Sequence, residues 1–200
     1  MVQVIITMAG FGRRFLDAGY TGPKYRLPAH GRSIFAWSIL SLNSFIATGA
    51  RFVFVTRRAD EASGFVHSEA HSLGIAAVEV GELDSPTDGQ ATTALLAAPA
   101  VVDRSRPIVI YNIDTFVNPA ALPAEAVRGD GWIPCFEGEG DAWSFVAADA
   151  SGRITVVREK VRISPHATIG LYYFSSFDLF EETYVRHYSI ADNTEKGERY

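Results

Sequence analysis

Five residues near the start of the chain, Gly10, Gly12, Arg13, Arg14 and Lys24, have the types and spacing of an anion site. They follow an apolar run, Val2 to Met8, that reads as a buried strand. The two glycines after it let backbone N–H groups approach a ligand closely, and the three cations supply charge in a protein whose net charge is −5. A phosphorylated ligand is the expectation, with Ala9, Gly10, Gly12 and Arg13 as its nearest contacts. A second candidate is Asp114, which closes the apolar run Pro107 to Asp114. An acid at the end of a buried strand is well placed to hold a hard cation such as Mg²⁺ against phosphate oxygens.

The elements that must position these residues alternate along the chain. Phe35, Ile39, Leu42 and Ile46 recur at helical spacing and Gly49 closes the segment. Arg51 to Thr56 reads as a buried strand, Glu61 to Leu73 as a helix, Ala76 to Val80 as a short strand, and an alanine-rich helix starts near Gly89. Beyond Trp132 the pattern changes to short strands at hairpin spacing, with Asp149-Ala150-Ser151-Gly152 as a turn. Ser176 to His187 reads as a helix. This order predicts an α/β fold, a Rossmann-like three-layer sandwich with a mixed, mostly parallel sheet, in one domain over residues 1–200. In such sheets ligands bind outside the carboxyl ends of the strands, where Gly10 to Lys24, Ser85 to Gln90 and Asn112 to Asp114 all fall.

Composition narrows the function classes. With one cysteine, Cys135, the chain forms no internal disulfide, and it carries no secretory leader pattern. The expected location is cytoplasmic. No run reaches the roughly 18 apolar residues of a membrane span. The acidic balance argues against nucleic acid as a partner. A dinucleotide fingerprint wants a third glycine where Phe15 stands and an acid where Arg57 and Arg58 stand, which disfavours a nicotinamide enzyme. The five histidines show no ligand spacing. By residue type alone, Glu159-Lys160 reads as a solvated pair on an edge strand.

The stretch Met8 to Phe15 followed by Gly22-Pro23-Lys24 resembles the signature of the sugar-phosphate nucleotidylyltransferases. Ser85-Pro86-Thr87-Asp88-Gly89-Gln90-Ala91 is similar to that family's base-binding loop, Asn112-Ile113-Asp114 to its metal-binding strand end, Glu159-Lys160 to its sugar-phosphate pair, and Ala167 to Phe174 to the strand behind the sugar. The resemblance implies a nucleotide-diphospho-sugar transferase fold. It also implies a reaction in which a nucleoside triphosphate and a phosphorylated acceptor, usually a sugar 1-phosphate, yield a nucleoside-diphosphate product and pyrophosphate in nucleotide-sugar or surface-polysaccharide precursor synthesis. On that basis Arg14, Lys24 and Asp114 are the catalytic set, with Asp114 holding Mg²⁺. Gly89 and Gln90 join the nucleotide contacts. Glu159, Lys160 and Gly170 receive the acceptor.

The sequence also departs from the family pattern. Arg13 stands where a threonine is usual, Phe11 where a small or polar residue is usual, and Tyr25-Arg26-Leu27-Pro28 where relatives tend to be apolar. The second metal-binding aspartate of the family has no counterpart before Tyr200: Asp178 comes too early and Asp192 lacks the context. The expectation is therefore a C-terminally truncated chain, a site working with one protein carboxylate, or a chain without full activity. Two alternatives stand beside the enzyme: a nucleotide-binding regulatory module of the same fold, and a nucleotide-sugar-dependent glycosyltransferase, whose usual Asp-x-Asp would need an acid where Asn112 stands. The partners expected are the two small-molecule substrates, with homo-oligomer formation left open.

Overall fold

The computed structural model describes residues 1–10, 12, 15, 17–190, 193–194 and 199. Phe11, Arg13, Arg14 and Asp192, named above, lie outside the described residues. The strands are β1 (Gln3–Thr7), β2 (Pro28–Ala29), β3 (Arg32–Ser33), β4 (Arg51–Arg57), β5 (Val78–Leu83), β6 (Ile108–Asn112), β7 (Gly131–Trp132), β8 (Cys135–Glu137), β9 (Ser144–Ala148), β10 (Ile154–Glu159), β11 (His166–Thr168) and β12 (Leu171–Phe174). The α-helices are α1 (Ile34–Leu40), α2 (Asn43–Ala47), α3 (Ser63–Ser72), α4 (Gln90–Leu95) and α5 (Phe177–Tyr188).

The central sheet runs in the order β5-β4-β1-β6-β12-β7. Its first four strands are parallel and β12 is antiparallel to both of its neighbours, which makes the sheet mixed. Period-two alternation divides the side chains between two faces. Val4, Ile6, Phe52, Phe54, Val109 and Tyr111 point to one face, where they pack with Phe35, Ile39, Leu42 and Phe45 of the α1–α2 segment and Val66 and Ala70 of α3. Ile5, Val53, Val55, Ile108 and Ile110 point to the other, against Ala91 and Ala94 of α4 and Phe177, Phe180 and Tyr184 of α5. Helices on both faces make three layers, as the sequence predicts. Phe35 and Phe54 stack with ring centroids 5.3 Å apart. Truncating such a ring to alanine removes about 3–5 kcal/mol.

A second, four-stranded antiparallel sheet has the order β10-β9-β11-β8. Its β9–β10 hairpin turns where predicted, because the Asp149 carboxylate accepts hydrogen bonds from Ser151 N and Oγ and from Arg153 N. Two elements differ from the sequence reading. The segment from Phe35 to Ile46 is two helices, since Ser41 and Leu42 donate to carbonyls three residues back and tighten the chain at the junction. The strand expected at Ala76 to Val80 starts later and runs to Leu83, because β4 offers a parallel edge as far as Arg57.

Candidate active site

Parallel register brings the carboxyl ends of β1 and β6 side by side, with Thr7 opposite both Val55 and Asn112. The three loops singled out from sequence therefore leave the sheet at one edge. Between them lies a cavity of about 660 Å³ whose lining includes Ala9, Gly10, Gly12, Lys24, Gly89, Gln90 and Asp114. Every described residue expected to contact the nucleotide is on its wall.

Lys24 reaches this cavity by a short rigid path. Pro23 fixes the entry to a 3-10 turn over Lys24–Arg26, and Arg26 N and Leu27 N donate back to the carbonyls of Pro23 and Lys24. Tyr25, 2% exposed, roots the turn in the core, and its hydroxyl donates to the Asp60 carboxylate at 3.5 Å. Burial, with Asp60 adding to it, raises the Tyr25 phenol well above its ordinary range. Asp60 itself is gripped by Arg57 through Nε and Nη2 at 3.1 and 2.6 Å. On this footing the Lys24 ammonium lies 2.5 Å from Asp114 Oδ2, in the cavity that both share with Gly89 and Gln90.

Asp114 sits two residues beyond β6 in a turn tied to the first helical layer. Ser38 Oγ donates to the Asn112 carbonyl at 3.1 Å, Tyr111 OH to the Thr115 carbonyl at 2.8 Å, and Val117 N to Ser41 Oγ at 2.9 Å. Burial raises the Tyr111 phenol from about 10 to about 12, so it acts as a neutral donor here.

The third wall depends on glycine. Gly89 holds φ 148°, where a side chain is strained, and its carbonyl accepts from Thr93 N, Thr93 Oγ1 and Thr87 Oγ1. Gln90 Nε2 donates to the Gly170 carbonyl at 3.1 Å. Gly170 has φ 74°, and a Cβ there would lie 2.7–2.9 Å from the Asn112 amide. Gln90, Gly170 and Asn112 thus close into one unit that locks the loop after β6 against the start of β12. Asn112 Oδ1 is buried with no hydrogen-bond partner.

Gln90 also borders a second cavity, of about 710 Å³, whose lining includes Ser144, Glu159, Tyr172, Tyr184 and Tyr188. Glu159 ends the edge strand β10, and its carboxylate is held by Ser144 Oγ and by Lys160 Nζ at 2.7 Å. Its side chain is only 12% exposed, which removes it from the class of ordinary solvated pairs. The Tyr172 phenol is raised by burial. The structure therefore brings together Ala9, Gly10, Gly12, Lys24, Gly89, Gln90 and Asp114, and places Glu159 on the neighbouring cavity that Gln90 shares. Sequence reasoning missed Asn112 as a packing partner of Gly170, and gave no role to Tyr184 or Tyr188.

Among the described residues, no group of three His, Cys, Asp or Glu side chains is placed to hold a metal ion, and no helix is long and apolar enough to cross a membrane. No family model and no curated protein matches the sequence. Solved structures do. The nucleoside-diphosphate-sugar pyrophosphorylase from Vibrio cholerae RC9 is 35% identical with a TM-score of 0.86, covering 100% of this chain and 84% of that one. The inositol-1-phosphate CTP transferase from T. maritima shares the fold at 18% identity and a TM-score of 0.73, over 99% of this chain and 76% of that one. A Bacillus anthracis protein assigned as a glucose-1-phosphate thymidylyltransferase, in complex with a sucrose, does so at 16% identity and 0.75, over 98% and 80%. With the first of these 35% identical over the whole of this chain and 84% of its own, the chain belongs to the sugar-phosphate nucleotidylyltransferases.

Proposed function

We propose that the protein joins a nucleoside triphosphate to a phosphorylated acceptor, in the simplest case a sugar 1-phosphate, and releases pyrophosphate. The observation that carries this reading is the Lys24–Asp114 pair at 2.5 Å inside a cavity walled by Gly10, Gly12 and Gly89. In the reaction an oxygen of the acceptor phosphate forms a bond to the α-phosphorus. The bond from that phosphorus to the bridging oxygen breaks, and pyrophosphate leaves with the electron pair. Two polyanions must be held in line, so the chain's work is positioning and charge stabilisation.

Lys24 holds triphosphate oxygens and offsets the charge that gathers on the leaving group. The Ala9 to Gly12 backbone lies against the phosphates, with Arg13 and Arg14 as its further cations, and Gly89 with Gln90 forms the face for the base. Glu159 accepts hydrogen bonds from acceptor hydroxyls, Lys160 neutralises the acceptor phosphate, and Gly170 lets the acceptor approach the strand behind it. The Asp114 carboxylate and the buried, unpartnered Asn112 Oδ1 are hard oxygen donors of the kind that suit Mg²⁺ carried in on substrate phosphates rather than enclosed by protein. When bound there, the ion would neutralise phosphate oxygens and increase the electrophilicity of phosphorus.

A pyrophosphate-release screen of the common nucleoside triphosphates against a panel of phosphorylated acceptors, with Mg²⁺, tests the reading. Release that requires one triphosphate and one acceptor together supports it. Binding of triphosphate with no release against any acceptor refutes turnover and leaves a nucleotide-binding regulatory module, while transfer from a finished nucleotide sugar marks a glycosyltransferase.

A further inference from the structure

The face of Gly89 is already covered. The backbone of Arg199 lies on it so closely that a Cβ at position 89 would collide with the Arg199 carbonyl oxygen, and would lie 2.7 Å from the Arg199 carbonyl carbon and nitrogen. Arg199 N donates to the Asp88 carbonyl at 2.7 Å, and Ala91 N donates to the Arg199 carbonyl at 3.1 Å. The N–H and C=O of this one residue thus use both backbone groups that flank the glycine. Each common nucleobase also offers a donor beside an acceptor on a flat edge, so base and peptide compete for the same acceptor and donor.

The side chain anchors this arrangement. Arg199 Nη1 donates to Tyr184 OH at 3.0 Å, Nε lies 3.5 Å from the Asp88 carboxylate, and the guanidinium stands 5.9 Å and 5.3 Å from the ring centroids of Tyr184 and Tyr188. Those rings line the second cavity. A single residue therefore covers the nucleotide face with its backbone and occupies aromatic surface of the neighbouring cavity with its side chain.

We propose that Arg199 is an autoinhibitory plug: nucleotide binds only as Arg199 leaves Gly89, and the side-chain anchors on Asp88, Tyr184 and Tyr188 set how often it leaves. This rests on the reading of Gly89 as the base-contacting glycine. Apparent nucleotide affinity equals the intrinsic affinity multiplied by the fraction of molecules with the face open.

The test is calorimetric titration of the full chain and its Arg199→Ala and Arg199→Lys variants with the Mg²⁺ complexes of UTP, dTTP, CTP, GTP and ATP. Arg199→Ala removes the anchors while leaving Asp88, Tyr184 and Tyr188 in place, and should bind the preferred triphosphate about three- to thirtyfold tighter. Arg199→Lys keeps a cation over the rings and should fall between it and the parent. Amide exchange supplies a second readout: without nucleotide, the Ala91 N–H should exchange faster in Arg199→Ala than in the parent. Equal or weaker nucleotide affinity in Arg199→Ala, with the parent binding normally, overturns the plug alone. Failure of all three proteins to bind any triphosphate overturns the nucleotide site and the plug with it.

Discussion

Replacing Lys24 with methionine separates catalytic from structural work at one position. Methionine keeps an unbranched chain able to lie along the Gly12 backbone, near which the Lys24 Cδ packs, and removes only the ammonium. The structural loss is the ion pair with Asp114. Its side chains are 23% and 41% exposed, so the pair is screened and contributes about 0–1 kcal/mol to folding. For a domain of this size that is a fall of under about 4 °C in Tm. The functional loss is larger. A charge-assisted contact to phosphate in a partly desolvated cavity contributes about 1.5–3 kcal/mol, which is about a ten- to hundredfold loss of turnover. Pyrophosphate release at saturating substrates, with a melting curve on the same preparation, measures both. Turnover within twofold of the parent would refute the assignment of Lys24 to the phosphates, as would a loss of activity that merely followed a large fall in Tm.

Asp114→Asn should abolish Mg²⁺-dependent pyrophosphate release while leaving the melting temperature nearly unchanged, and EDTA should silence the parent; release that persists in EDTA would remove the metal. Gly170→Ala forces a side chain into left-handed backbone against the Asn112 amide, and should destabilise the protein by about 1–3 kcal/mol in denaturant unfolding. A neutral result would mean that the Gln90–Gly170–Asn112 unit has slack. The Tyr111 phenol is raised to about 12, so its contribution to stability is complete below pH 10 and is lost as pH rises from 10 through about 12. That loss approaches about 2–3 kcal/mol, and Tyr111→Phe should flatten the fall of unfolding free energy across this window.

Much of the fold is legible because burial writes period and length into the chain. The alternation of Val4, Ile5 and Ile6 between the two cores, and the acid just past β6, require no tertiary knowledge to read. The break at Ser41 is different. Apolar spacing carries straight through it, and the break lies in the backbone, where Ser41 N and Leu42 N donate to carbonyls three residues back. The reach of β5 to Leu83 is hidden because Gly81, Glu82 and Leu83 become strand only by pairing with Val55, Thr56 and Arg57 of β4. At the site, residue types and strand ends were sufficient to expect Gly10, Gly12, Lys24 and Asp114 at one place, and the family resemblance to add Gly89; all five line one cavity. Residue types were insufficient for Asn112 against Gly170 and for Arg199 against Gly89, because such contacts depend on where β12 and α5 lie against the sheet. No propensity encodes that.

The serines of the α1–α2 segment give the loop after β6 an unusual mechanical character. Ser38 holds the Asn112 carbonyl, Ser41 the Val117 amide and Ser44 the Ala124 amide, the last at 2.9 Å. Residues 112–124 hold little regular structure of their own, yet they are fastened at three points to a helical layer whose apolar side is the main core. Loops that carry ligand groups usually belong to the part of a protein that opens first. This one cannot detach without disturbing the helices beneath it, so its opening is coupled to that of the core. The Val117 and Ala124 amides should exchange with solvent as slowly as those of the surrounding sheet, and the carboxylate between Asn112 and Val117 inherits the rigidity of the domain rather than that of a loop.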